Sequence, residues 1–222
     1  MRCLLAIASA SVAIVSLASG QGVATKNPAK QPVAAVFEED KKAEWSFEAS
    51  VSGYVIPDDK DYLSPVLLAD RDWLHLEARH NYENLDTASL WVGYNFSIGE
   101  KLVLDFTPMV GGVFSHTRGI APGWRLALSK GSIEFTNETE FVFDAQDSEN
   151  NFLYMWSELT WAPTDWMWVG LVGQRSRVFQ SELDIQRGFL LGFTIKEVDF
   201  TTYVFNWGWT DPTFVFSIGM KF

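Results

Sequence analysis

Residues 213–222 read Thr213-Phe214-Val215-Phe216-Ser217-Ile218-Gly219-Met220-Lys221-Phe222. Phe214, Phe216, Ile218, Met220 and Phe222 fall at every second position, and an aromatic residue stands last. Side chains return to the same face of an extended backbone every two residues, so this stretch is a strand with one bulky apolar face. The same period runs back through the chain. Phe189, Leu191, Phe193 and Ile195 alternate with Gly188, Leu190, Gly192 and Thr194. Leu90, Val92, Tyr94, Phe96 and Ile98 alternate with Ser89, Trp91, Gly93, Asn95 and Ser97, and Trp45, Phe47, Ala49 and Val51 with Ser46, Glu48, Ser50 and Ser52.

Between residues 44 and 222 this reading gives twelve segments, near 44–56, 62–70, 72–82, 87–98, 101–114, 123–130, 132–143, 151–162, 165–176, 184–196, 198–209 and 213–222. Pro65 weakens the second, because proline removes a ladder donor; without it eleven strands remain, which the even strand number of such barrels disfavours, and ten result if a further segment is also not a strand. Pro108 beside Gly111-Gly112 suggests a bulge in the fifth. Tight connections such as Gly99-Glu100-Lys101 and Lys130-Gly131 alternate with longer polar ones such as Tyr82–Thr87 and Asp144–Asn151. Strands of about ten residues, with short turns at one end and longer loops at the other, describe an all-β, up-and-down antiparallel transmembrane barrel.

A secreted β-sandwich or lipocalin-like barrel would show the same alternation with its apolar face inward. Three features favour the membrane. The apolar faces are bulky and unbroken, whereas the opposite faces carry the charges. Rings gather at strand ends, with Trp161, Trp166 and Trp168 near a tight turn and Trp124, Phe152 and Trp207 near long loops. The third feature is the closing strand, in which the chain resembles bacterial outer-membrane β-barrel proteins. The resemblance implies that Phe214, Phe216, Ile218, Met220 and Phe222 act as the signal read by the barrel-insertion machinery.

Residues 1–20 have Arg2, a charge-free run from Cys3 to Ala18, and a small-residue exit at Ala18-Ser19-Gly20. This is the pattern of a secretory signal peptide cleaved before Gln21. Residues 21–43 read as a flexible periplasmic lead, with a short helix at Ala34–Lys42. Cleavage would remove Cys3, the single cysteine of the 222 residues, and with it disulfide and thiolate chemistry. It would also remove Arg2, leaving 16 basic against 28 acidic residues. That balance argues against nucleic acid or an anionic bilayer surface as a partner. Mean hydropathy is zero, yet 10 Trp, 17 Phe and 6 Tyr are more rings than a small soluble core readily hides.

Alternation places Glu48, His75, Glu77, Arg79, Asp105, Arg125, Glu138, Glu140 and Glu158 inside the barrel, with Glu134 and Lys221. An acidic lining favours cations. The same residues would equally form a self-satisfied internal plug. Tyr54, Trp73, Trp91, Trp156 and Trp168 have inward parity and narrow the bore. Two functional classes therefore stand beside each other: a narrow channel for small solutes and a non-conducting barrel. A third is a lipid hydrolase, because Ser64 and the lipid-facing His80 lie diagonally across neighbouring strands. Acidic loops, Asp58-Asp59-Lys60-Asp61 and Asp144–Asn151, would meet lipopolysaccharide through bridging Ca²⁺ or Mg²⁺. No cofactor motif stands out, and nothing in the residues sets the oligomeric state.

Overall fold

A computed structural model describes residues 44–57, 60–178, 184–208 and 212–222, of which 176–178 and 184 are described by their backbone only. The segments read as a signal peptide and as a periplasmic lead with a helix at Ala34–Lys42, and Asp58-Asp59, lie outside the described residues. Thirteen strands follow one another: β1 (Ser46–Val55), β2 (Tyr62–Arg71), β3 (Leu74–His80), β4 (Thr87–Tyr94), β5 (Phe96–Ile98), β6 (Val103–Ser115), β7 (Gly119–Lys130), β8 (Ile133–Asp144), β9 (Phe152–Thr164), β10 (Met167–Val178), β11 (Asp184–Ile195), β12 (Val198–Phe205) and β13 (Thr213–Lys221). Consecutive strands pair antiparallel except β4 and β5, which both pair with β6, and β1 pairs with β13. The ring is therefore a closed barrel of twelve strands. The short β5 stands outside that count because it continues the line of β4 along β6 in the same register. The seam runs from Val55↔Phe214 to Glu48↔Lys221, and Phe47 and Phe222 extend it by exchanging two 2.9 Å backbone hydrogen bonds. Closure leaves no strand edge facing lipid.

Three prolines show how the ladders tolerate a missing donor. The β2–β3 ladder begins only at Val66, so Pro65 lies beyond its end. There side chains take over: Asn81 Nδ2 donates to Leu63 O at 2.9 Å and Ser64 Oγ donates to His80 O at 3.3 Å. Pro108 produces no bulge, contrary to expectation. The β6–β7 register is constant from Val103↔Ser129 to Val113↔Gly119, and the β4–β5 break falls opposite Thr107 and Pro108. Pro122 opens a similar gap in the β7–β8 ladder, which also keeps its register. That register lets β7 begin at Gly119, four residues before the expected 123. All three prolines face outward, where a lost donor interrupts one ladder and leaves the others whole.

The outer wall carries the apolar stripes. Leu63, Leu67, Leu90, Ile120, Phe189 and Leu191 are among its exposed side chains. Rings stack around the turn end: Trp45 on Phe47, Phe47 on Phe222, Trp73 on Tyr94, and Phe193 on Phe200. Trp207 is 64% exposed at the loop end. An apolar band rimmed by aromatic residues is the surface of a barrel embedded in lipid. Trp168 and Phe152 do not join that rim. Trp168 is buried inside, and Phe152 packs against the interior clusters.

Candidate functional site: the barrel interior

The inner face divides into two levels. At the turn end, where both barrel termini lie, a vestibule of about 720 Å³ is lined by Glu48, Asp70, Asp72, Asp105, Glu134 and Glu138, with Arg125, Lys221 and His75. Lys221 Nζ lies 3.6 Å from Glu48, and Asp70 accepts from Asn95 Nδ2 at 2.7 Å. His75 bridges Asp70 and Glu77, its two ring nitrogens each 2.7 Å from a carboxylate. Trp73, expected inside, sits in the β2–β3 turn at the vestibule's rim, 49% exposed and stacked on Tyr94. A turn residue has left the ladder, so strand parity no longer governs its direction.

Above the vestibule the bore is filled around one arginine. Arg79 Nε donates to Glu77 Oε2 at 2.5 Å. Its Nη1 lies 2.9 Å from Glu138, 3.0 Å from Glu140 and 3.9 Å from Glu83. The guanidinium is also held between two rings, 4.1 Å from the Tyr82 centroid and 4.6 Å from that of Trp91. Arg125 Nη1 reaches the other oxygen of Glu77 at 2.9 Å. Glu77 and Arg79 are thus part of a knot linking β3, β7, β8 and the β3–β4 loop, not a simple pair. Glu83 accepts from Ser89 and, at 3.1 Å, from Trp91 Nε1, while Tyr82 donates its hydroxyl to Glu138. Glu158 faces inward outside this knot and accepts from Trp156 Nε1 at 2.7 Å.

Tyr82 and Glu83 belong to the loop of residues 81–86. Asn81 and Asp86 adopt left-handed backbone angles, and the Asn81 side chain accepts from Asp86 N at 2.8 Å. This closed bracket turns the intervening residues into the barrel. The reading of 82–87 as a polar outer loop missed both side chains. The available signal was the αL-tolerant Asn81 and Asp86 flanking an aromatic residue. Burial raises the Glu83 carboxyl above its ordinary range, against the nearby Arg79 charge.

Aromatic packing completes the septum. Tyr54, Tyr82, Tyr154, Trp156, Tyr203 and Phe205 are each 2% exposed or less. Two tryptophans lie flat because glycine stands opposite: a Cβ on Gly111 would come within 2.4 Å of the Trp91 ring, and one on Gly192 within 1.9 Å of Trp168.

Every residue expected to line the lumen has its side chain on the inner face, but the two levels part them. Glu48, Asp105 and Arg125 border the vestibule; Glu77, Arg79 and Glu140 are sealed in the knot; His75 and Glu138 touch both. The Ser64–His80 pair does not form. Ser64 is fully buried on the inner face and His80 points outward, so the serine reaches only the histidine's backbone oxygen. One residue of parity separates the two side chains by the thickness of the wall. The described residues contain no group of three His, Cys, Asp or Glu placed to hold a metal.

No family model matches the chain, and no curated protein matches it. Solved structures of bacterial outer-membrane porins do. A KdgM porin superposes with a TM-score of 0.53 at 10% identity, covering 79% of this chain and 98% of that one. The same porin in complex with disordered oligogalacturonate gives 0.53 at 10% identity over 80% and 98%. A protein solved in a study of in-meso crystallisation of membrane proteins gives 0.54 at 12% identity, over 80% of this chain and 83% of that. At these identities the likeness is one of fold.

Proposed function

We propose that this protein is a narrow, gated channel of the bacterial outer membrane that admits small cations and is closed in the state described. One observation carries the reading: an acidic vestibule ends on a septum that includes a loop, and a loop is displaceable where a strand is not. Six carboxylates face two bases and a histidine in the vestibule. Such a mouth concentrates cations, and low-dielectric walls strengthen the effect. The polyanionic saccharide bound by the KdgM porin is not carried over, because its charge has the same sign as this vestibule. The closing strand presents Phe214, Phe216, Ile218, Met220 and Phe222 outward, which suits recognition by the insertion machinery during assembly.

Single-channel recording in planar bilayers tests the proposal. The native barrel is expected to give rare, small openings, more permeable to K⁺ than to Cl⁻. The double variant Tyr82→Ala/Glu83→Ala is expected to raise open probability at least tenfold. The packed aromatic layer favours a second reading, a permanently plugged structural barrel. A folded double variant as silent as the native protein would establish that reading and remove the channel.

A further inference from the structure

The lipid-facing wall is not uniform. Along β1–β4 its middle is apolar, with Leu63, Leu67, Leu76, Leu90 and Val92 all outward. Across β8–β11 the register places two rows side by side. Phe135, Leu159, Leu171 and Phe189 form one apolar row; the next, toward the loops, reads Asn137, Ser157, Gly173 and Arg187. The small residues leave a notch of about 400 Å³ floored by the apolar row, and a Cβ on Gly173 would meet nothing within 4 Å. Arg175 stands directly above Gly173 on the same face, its Nε buried without a hydrogen-bond partner. Among the described residues no ion pair links Arg175 or Arg187 to a carboxylate. The outward positions of these four strands include no acid.

We propose that this notch binds a phosphorylated headgroup of an outer-leaflet lipid, with Arg175 and Arg187 on the phosphate and an acyl chain over Leu171 and Phe189. Depth agrees. Arg175 lies eight residues from the start of β10, which at about 3.3 Å per residue and a tilt of about 40° places it about 20 Å from the turn end. The apolar band of such barrels is about 25 Å tall, so the guanidinium sits at its outer edge, level with headgroups. Charge selects this occupant over a second copy of the chain. A guanidinium pair with no acid nearby calls for an anion, and arginine matches phosphate oxygens with paired donors. Neither the bore nor its gating enters this inference.

The test is native mass spectrometry of the mature, folded chain in detergent micelles, titrated with a bisphosphorylated glucosamine glycolipid. The same glycolipid without phosphates and inorganic phosphate alone serve as separate probes. The native protein is expected to retain one phosphorylated glycolipid at least tenfold more tightly than the dephosphorylated one, and to retain no inorganic phosphate. Arg175→Ser/Arg187→Ser should lose that preference. Gly173→Leu fills the notch without changing charge and should weaken retention several-fold, which keeps the test decisive if the double variant fails to fold. Equal retention of the two glycolipids, or equal retention by native and variant barrels, overturns the site. A native dimer abolished by Gly173→Leu and indifferent to lipid assigns the notch to a second copy and overturns it as well.

Discussion

The turn-end and loop-end halves of the bore are built on the same alternation, yet one is an open acidic cup and the other is solid. In the cup, six carboxylates outnumber two bases and a histidine around an open vestibule. In the septum the same residue types are stripped of water and survive because one arginine is shared among Glu77, Glu83, Glu138 and Glu140. Inward charge therefore says nothing by itself about conduction. What decides is whether the opposite wall and a loop come close enough to exclude solvent. In a twelve-stranded ring they do, because Tyr82 enters from above while Tyr154, Trp156 and Tyr203 cross from the far side.

The largest expected effect breaks the septum. Arg79→Met leaves Glu77 and Glu138 with Arg125 alone and takes from Glu83 and Glu140 the cation they share, and losing one member of a buried charge cluster costs about 3–5 kcal/mol. Urea unfolding from lipid vesicles should show a correspondingly lower midpoint; an unchanged midpoint would mean that the knot is already neutral or hydrated. Next comes Gly192→Leu, whose side chain collides with the Trp168 ring. Overpacking of this kind costs about 1–3 kcal/mol, and the displaced indole should change tryptophan emission. A smaller effect is expected in the cup. Asp105→Asn with Glu134→Gln should leave stability within about 0.5 kcal/mol while lowering the K⁺ to Cl⁻ permeability ratio, measured from reversal potentials.

The subtlest test is pH. The Glu83 carboxyl is raised in the closed barrel, so closure takes up a proton that an outwardly solvated loop would release. The stability this adds is present at low pH and is lost as pH rises through the raised value. Openings should therefore become more frequent upward from the ordinary carboxylate range, and Glu83→Gln should flatten the profile. A native profile without pH dependence would place Glu83 outside the gate.

Much of this comparison was legible in advance. The inward parity of Glu48, Glu77, Arg79 and Glu138 follows from a period of two, and closure follows from the impossibility of leaving edges in lipid. Ser64 and His80 were misread because a diagonal neighbour across two strands lies on the opposite face when the register is odd. Pro108 was misread as a bulge because a proline can also be absorbed by interrupting one ladder. Trp73 lies at the rim of the vestibule and not in the bore, because the strand has become a turn there.

The sequence by itself determined a β-barrel with apolar side chains outside and charged ones within, since alternation is a local property of extended backbone. Whether those inner charges face water or one another was decided only by the tertiary structure. That outcome depends on the height to which shear lifts each strand, on a loop folding inward at Asn81, and on glycines that let rings lie flat. All three set distances between residues far apart in the chain, and those distances decide which charges keep their water.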